Sequence, residues 1–299
     1  MSVIFLFIDG VGLGDEEAHN PFVKNSYDAF ARMTDGQAFT HKAEPFLNGK
    51  HLFKPVDATL GIEGLPQSGT GQTALFTGEN APGKIGKHFG PFPHSGIKHL
   101  LREQSIFNKA QKQSCSCHFM NAYPDIFFEK SGKRNRWSCT TLMAKSAGLP
   151  LNNTESVKKE NAITAGITQQ GWREKLNIEI PEIDPEKAAQ RLLEKGKYYD
   201  LILYEYYLTD KAGHSQNHED AQRVLSIYNR FLSELIRTKR TEETLVLSSD
   251  HGNVEDLSTK THTFNQVPLF VYGPGASAFE DAESIMDITP GILNILEHG

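Results

Sequence analysis

The 299-residue sequence is poor in cysteine and tryptophan and has no long apolar run. Three cysteines, Cys115, Cys117 and Cys139, cannot form the disulfide framework of a small secreted domain. Cys115-Ser116-Cys117 is too closely spaced for an ordinary zinc half-site, so these read as plain thiols in a reducing compartment. No stretch approaches the roughly 20 apolar residues that cross a bilayer. The start, Met1 to Asp9, lacks the basic region of a signal peptide and its apolar run is too short for one, which predicts a cytoplasmic protein. A Lys/Arg-rich block is also missing. With 31 Lys and Arg against 37 Asp and Glu, the formal charge is −6, and neither nucleic acid nor an anionic membrane is an expected partner. Repeats and low-complexity segments are absent. A hydrophobic content of 38% suffices for one large α/β domain, or for a core with a smaller insert.

What the sequence does have is a series of apolar runs that stop abruptly at acidic residues. Thr244 to Leu247 reads as a buried strand and is followed by Asp250-His251-Gly252-Asn253. Val3 to Ile8 reads the same way and stops at Asp9-Gly10-Val11-Gly12-Leu13-Gly14. That glycine spacing is not the dinucleotide fingerprint, because the third glycine is missing and the acidic residue comes first. Tyr199 to Tyr207 is a third strand, followed by Asp210 and, four positions on, His214. His262 precedes a further apolar run, Val267 to Tyr272. Between these runs lie helical patterns: Ser95 to Gln113, Pro185 to Lys195 with Asp184 capping and Gly196 stopping it, Glu219 to Arg237, and a closing helix over Met286 to Leu296. Strands alternating with helices predict an α/β fold, a doubly wound, mostly parallel sheet with helices on both faces. From Asp125 to about Pro181 the character changes to polar runs that include Trp137, Trp172 and the basic residues Lys130, Lys133, Arg134 and Arg136. This predicts a core of residues 1–124 and 182–299 with an inserted cap over 125–181.

Open α/β sheets bind ligands outside the carboxyl ends of their strands. On this topology Asp9, Asp210, His214, Asp250, His251 and His262 gather at one edge. Three carboxylates there would repel one another unless cations were present. A pair of divalent metals removes that conflict and leaves coordination positions open for substrate oxygens. The stretch Gly64-Leu65-Pro66-Gln67-Ser68-Gly69-Thr70-Gly71-Gln72 leads into a short helix over Gly71 to Thr77, closed by Gly78. Ser68 at its start is either an N-cap or a nucleophile whose charge the helix dipole supports. The loop Asn80 to His94 brings Lys84, Lys87 and His88, which with Arg134 and Arg136 are candidates for contact with an anionic substrate.

FIDGVG, GLPQSGTGQTALFTG, DKAGH, SSDHGN and THTFNQVP, in that order, resemble the alkaline phosphatase superfamily. The likeness is to the metalloenzyme branch of cofactor-independent phosphoglycerate mutase and phosphopentomutase, over roughly residues 1–120 and 185–299. The resemblance implies Asp210, His214 and His262 on one metal and Asp9, Asp250 and His251 on the other. It implies Ser68 as bridging ligand and nucleophile, ten residues before the helix-closing glycine, with Thr70 as the alternative. Two ions, Mn²⁺ or Zn²⁺, and a phosphoserine intermediate follow from it. The expected reaction is hydrolysis of a small soluble phosphate ester by a phosphomonoesterase, with a phosphomutase or a non-catalytic metal-binding sensor as alternatives. The large substrate insert of phosphoglycerate mutase has no counterpart between Gly78 and Pro185. A sulfatase is disfavoured, because Ser68-Gly69-Thr70-Gly71-Gln72 lacks the Pro and Arg that sulfatases use.

Overall fold

The most apolar runs of the chain become the centre of one sheet. A computed structural model describes residues 1–134 and 136–298, apart from the side chains of 130–134. Its strands are β1 (Ser2–Ile8), β2 (Phe46–Asn48), β3 (His51–Val56), β4 (Cys117–Phe119), β5 (Asn121–Ala122), β6 (Ile163–Thr164), β7 (Leu201–Tyr206), β8 (Glu243–Ser248) and β9 (Val267–Tyr272). Seven of them form a sheet in the order β2-β3-β9-β8-β1-β7-β4, and β5 pairs with β6 apart from it. The four strands from β8 to β4 are mutually parallel, whereas β9, β3 and β2 continue the sheet by antiparallel pairing. Val3, Phe5 and Phe7 bury on one face, in a cluster with Phe76, Leu101, Phe107, Met143 and Ile292. Ile4, Leu6 and Ile8 bury on the other, with Phe30, Leu192, Leu225 and Phe231. Both faces are therefore covered by helices, which is why β1 is apolar at every position from Val3 to Ile8 rather than alternating.

Register fixes the site. Phe7 pairs with Glu205 on one side and with Ser248 on the other, so the ends of β7, β1 and β8 lie flush. Asp9 and Asp250 each lie two residues beyond a paired position, at the same height. Because β9 runs the opposite way, its start, not its end, falls at that edge. Ser248 pairs with Leu269, and the loop carrying His262 arrives beside Asp250 for that reason. Asp210 differs from expectation in its local structure: it does not end a strand but lies in the first turn of the Leu208–Ser215 helix, which starts two residues after β7. The Ser95–Gln113 pattern likewise divides into Lys98–Glu103 and Ile106–Lys112, because Ser105 leaves the helix to cap the second piece at Asn108 N. Within 125–181, the Cys139–Ser146 helix buries Cys139, Leu142, Met143 and Ala144 in the main core. Val157, Ala162 and Ile180 form a small cluster of their own with Ala122. Among the described residues no helix is long and apolar enough to cross a membrane.

Candidate active site

The nucleophile candidate is set by a helix that begins earlier than its sequence suggests. The helix runs Ser68–Thr77, and its Thr70, Thr73 and Thr77 hydroxyls turn back onto the Gln67, Gly69 and Thr73 carbonyls. Gln67 is the N-cap residue, without a side-chain cap bond, and Gly78 closes the helix at φ 73°. Ser68 is thus the first helical residue, not the cap. Its Oγ lies 3.0 Å from His251 Nε2 instead. Thr70, the alternative nucleophile, is fully buried; it donates to Gln67 O and accepts from Phe89 N.

Around His251 Nε2 three oxygens converge on one point. Asp250 Oδ2 lies 3.4 Å away, Asp9 Oδ1 3.5 Å and Ser68 Oγ 3.0 Å. Among the described residues no hydrogen-bond donor reaches the buried Asp9 Oδ1 or Asp250 Oδ2. Two bare carboxylate oxygens facing one imidazole nitrogen are costly in a protein interior unless a cation lies among them. The approach is close enough that two glycines are required. Gly10 sits at φ 68°, and a Cβ there would come within 2.7 Å of Asp210 Cβ; a Cβ on Gly71 would come within 2.7 Å of Asp250 O.

The second group stands beside the first. His214 Nε2 is 3.4 Å from Asp210 Oδ2 and 3.3 Å from His262 Nε2, which is 3.6 Å from Asp210 Oδ1. The His251 and His262 rings stack at 3.7 Å between centroids and 13° between planes, so the two groups share a wall. Ligand atoms of Asp210, His251 and His262 lie within 4.8 Å of one another, as do those of Asp9, Asp250 and His251. All three imidazoles are oriented alike. His262 Nδ1 faces Pro66 O at 2.6 Å, His214 Nδ1 faces Lys260 O at 2.7 Å and His251 Nδ1 faces Gly252 O at 3.4 Å. A neutral imidazole that donates from Nδ1 has its lone pair on Nε2, the atom each of them turns to the cluster. The donor set of carboxylate and imidazole suits divalent metals, so these residues fit the ions that their chemistry calls for.

Charge is distributed unevenly without ions. Burial holds the Asp9 carboxyl well above the usual carboxylate range, and Asp250, Asp210 and Glu205 push it further. Burial, then Asp210, carries Asp250 to about 7. Burial also opposes ionisation of Asp210, but the hydrogen bond from His214 leads the groups that outweigh it and bring it to about 2. That same bond raises His214 to about 9. Burial lowers His262 to about 4, and His251 also falls below its ordinary value through burial.

Four further side chains belong to the site and were not singled out in the sequence. Gln72, one turn after Ser68, donates to Asp9 Oδ2 at 3.2 Å. Asn253 donates to Asp210 Oδ1 at 2.6 Å. Glu205 is buried, accepts from Thr140 Oγ1 at 2.8 Å and is raised to about 7 by burial. Glu255, fully buried, accepts from Gly12 N, Asn253 N, Thr263 Oγ1 and Asn265 Nδ2. The spacing Ser68–Gln72 on one helix face was a usable signal for the first; a glutamate inside the apolar β7 was one for Glu205. The substrate candidates make these contacts among the described residues. Lys87 reaches over the Phe89 ring, and His88 Nε2 bonds with Ile62 O. Arg136 is exposed, and the Arg134 side chain lies outside the described residues.

A family model described as the metalloenzyme superfamily matches residues 1–298. Two similar curated relatives are both named 2,3-bisphosphoglycerate-independent phosphoglycerate mutase. The one from Ehrlichia canis (strain Jake) is 29% identical over 126 residues, 39% of this chain and 25% of that protein. The one from Sulfurimonas denitrificans is 26% identical over 223 residues, 64% of this chain and 44% of that protein. The chain thus spans between a quarter and less than half of these relatives' length. Among solved structures, the alkaline phosphatase from the Antarctic bacterium TAB5 aligns with a TM-score of 0.56 at 14% identity, over 100% of this chain and 98% of that one. At that identity the likeness concerns the fold.

Proposed function

The chain belongs to the metalloenzyme superfamily, and from that premise we propose that it is a two-metal phosphomonoesterase acting on a small soluble phosphate ester through a phosphoserine at Ser68. The observation that carries this reading is the convergence of Asp9 Oδ1, Asp250 Oδ2 and Ser68 Oγ on His251 Nε2, next to Asp210, His214 and His262. Asp9, Asp250, His251 and Ser68 would hold one divalent ion, Mn²⁺ or Zn²⁺, and Asp210, His214 and His262 the other. Ions bound there would supply positive charge that acidifies the serine hydroxyl and offsets charge on the phosphoryl oxygens.

The residues of the chain do the rest. The helix holds Ser68 Oγ at its positive end, the favoured place for a developing alkoxide. Ser68 Oγ gives up its proton and forms a bond to phosphorus as the ester P–O bond breaks, and the leaving oxygen takes a proton. Water then attacks the phosphoserine, releasing phosphate and restoring the hydroxyl. Gln72 and Asn253 hold the Asp9 and Asp210 carboxylates in place from behind. Residues 125–181, apart from the Cys139–Ser146 helix that packs in the main core, would form the cap over the ester. A phosphomutase, in which a second hydroxyl takes the phosphoryl group instead of water, is the alternative that the names of the relatives favour.

The test is turnover of p-nitrophenyl phosphate by chelated protein to which Mn²⁺ or Zn²⁺ is returned, with phosphoserine trapped by acid quench and mass spectrometry. Metal-dependent release that Ser68→Ala abolishes supports the reading. Full turnover by Ser68→Ala, or none by the metal-loaded wild type on a broad ester panel, refutes it. On phosphorylated hydroxy acids and sugars, free phosphate identifies the phosphatase and a positional isomer the mutase.

A further inference from the structure

The helix that carries Asp210 and His214 has a second face, and that face borders a cavity of about 520 Å³. Successive helix positions turn by about 100°, so Asp210 and His214 share one side. Leu208, Lys211, Ala212 and Ser215 share another, and all four line the cavity. The opposite wall is the Gln170–Leu176 helix, which contributes Trp172, Lys175 and Leu176. No residue of that helix is buried, and it is entered at Gln169 (φ 68°) and left at Asn177 (φ 53°), both left-handed. A helix with Trp172 half-buried and Leu176 41% exposed leaves apolar surface open toward Leu208 and Ile227.

The charges around the cavity are not balanced. Arg223 pairs with Asp220 at 3.1 Å, and Glu174 accepts from Gln170 at 2.9 Å. Lys175 and Lys211 have no side-chain partner among the described residues. With Lys175, Lys211 and Arg223 against Glu174 and Asp220, the lining of the cavity carries one net positive charge over an apolar floor, in a chain of net charge −6. Its volume lies in the roughly 300–1,000 Å³ range of small-molecule sites.

We propose that the cavity is a second ligand site, separate from the metal cluster, for a small organic anion with a flat apolar body such as an aromatic carboxylate or sulfonate. The ring lies against Trp172, Leu208 and Ile227, and the anionic group meets Lys175 and Lys211. This does not depend on the phosphatase reading, since binding there involves none of the metal ligands.

The probe is 8-anilinonaphthalene-1-sulfonate, read by energy transfer from Trp172 in a Trp137→Phe background. Expected is saturable binding at one site per chain, at least tenfold weaker in the Lys175→Ala/Lys211→Ala variant and unchanged by chelator or excess inorganic phosphate. Both lysines are exposed, so the variant keeps its fold, checked by circular dichroism. Equal affinity in the double variant, absence of transfer from Trp172, or displacement of the dye by phosphate would each overturn the proposal. The neutral N-phenyl-1-naphthylamine is expected to bind both proteins alike; a lysine-dependent loss with that dye would also overturn it.

Discussion

Glu255 is the buried group whose removal the structure lets one calculate most directly. Its Oε2 accepts from Gly12 N at 2.9 Å and Asn253 N at 2.7 Å, and its Oε1 accepts from Thr263 Oγ1 and from Asn265 Nδ2 at 3.0 Å. One carboxylate thereby ties the turn after Asp9, the turn after His251 and the loop that bears His262. The space for it is made by glycine: a Cβ on Gly12 or on Gly252 would collide with Glu255 Oε1. Glu255→Ala leaves two backbone N–H groups that cannot turn elsewhere. At about 2 kcal/mol for each buried orphan, the loss is ~4 kcal/mol, a large part of the ~5–15 kcal/mol that holds a domain together. For a chain of this size about 2 °C follows each kcal/mol, giving a fall in Tm of about 8 °C.

Glu255→Gln should behave differently. Its amide oxygen can face the two N–H groups, and its NH₂ can face Thr263 and Asn265, a hydroxyl that rotates and an amide that flips. About 1–2 kcal/mol, or roughly 2–4 °C, is expected. Scanning calorimetry on chelated protein measures both, and titration with Mn²⁺ reads the site. The Ala variant should bind Mn²⁺ roughly 10–100-fold more weakly, and Gln less so. A Glu255→Ala protein as stable as wild type, or Ala and Gln variants that melt together, would refute the reasoning.

Ser68→Ala should cut turnover at least roughly a thousandfold, while Thr70→Ala, whose hydroxyl serves Gln67 and Phe89, stays within about tenfold; steady-state rates decide between the two. Asn253→Ala removes the donor to Asp210 Oδ1 and should weaken Mn²⁺ binding about 10–100-fold by calorimetric titration. Asp250, at about 7 against an ordinary 3.8, stabilises the metal-free fold fully below that ordinary value and loses the contribution as pH rises through 7. His214, at about 9 against 6.5, adds a loss higher up, so the Tm gained on adding Mn²⁺ should be larger near about pH 8 than near about pH 5.5. Asp9→Asn removes a buried carboxylate that the metal-free fold tolerates only when protonated; near neutral pH the chelated variant should melt higher than chelated wild type yet gain nothing from Mn²⁺.

Much of the fold was legible because its strands are buried on both faces. Val3 to Ile8, and Leu201 to Tyr204 and Leu245 to Leu247 within the runs before Asp210 and Asp250, show no polar alternation, as strands covered on both faces require. Direction was less legible. Nothing in Val267 to Tyr272 marks β9 as antiparallel, since a short apolar run reads the same in either sense and only its partners set its direction. Helix starts were displaced where a side chain found a tertiary partner: Ser68 looked like a cap by propensity, but its hydroxyl meets His251 across 183 positions of sequence.

The seven side chains do meet, and Asp9, Asp250 and His251 were visible because each is chemically out of place just after an apolar run. The residues that support them were not visible. Asn253 and Gln72 carry no charge and stand among other polar residues, so only the 2.6 Å and 3.2 Å contacts to Asp210 and Asp9 distinguish them. Glu255 and Glu205 are ordinary residues in composition and become unusual only through burial, which depends on loops and helices distant in sequence. A group's charge is readable from its letter, but its solvation is not, and solvation separates these two glutamates from the exposed ones. The same distinction explains the cluster itself. Asp9 and Asp250 face one another because parallel strands that share a register must end together, and the sheet cannot bury those ends without also burying their carboxylates. The packing that secures the core therefore creates an electrostatic conflict that divalent cations would resolve.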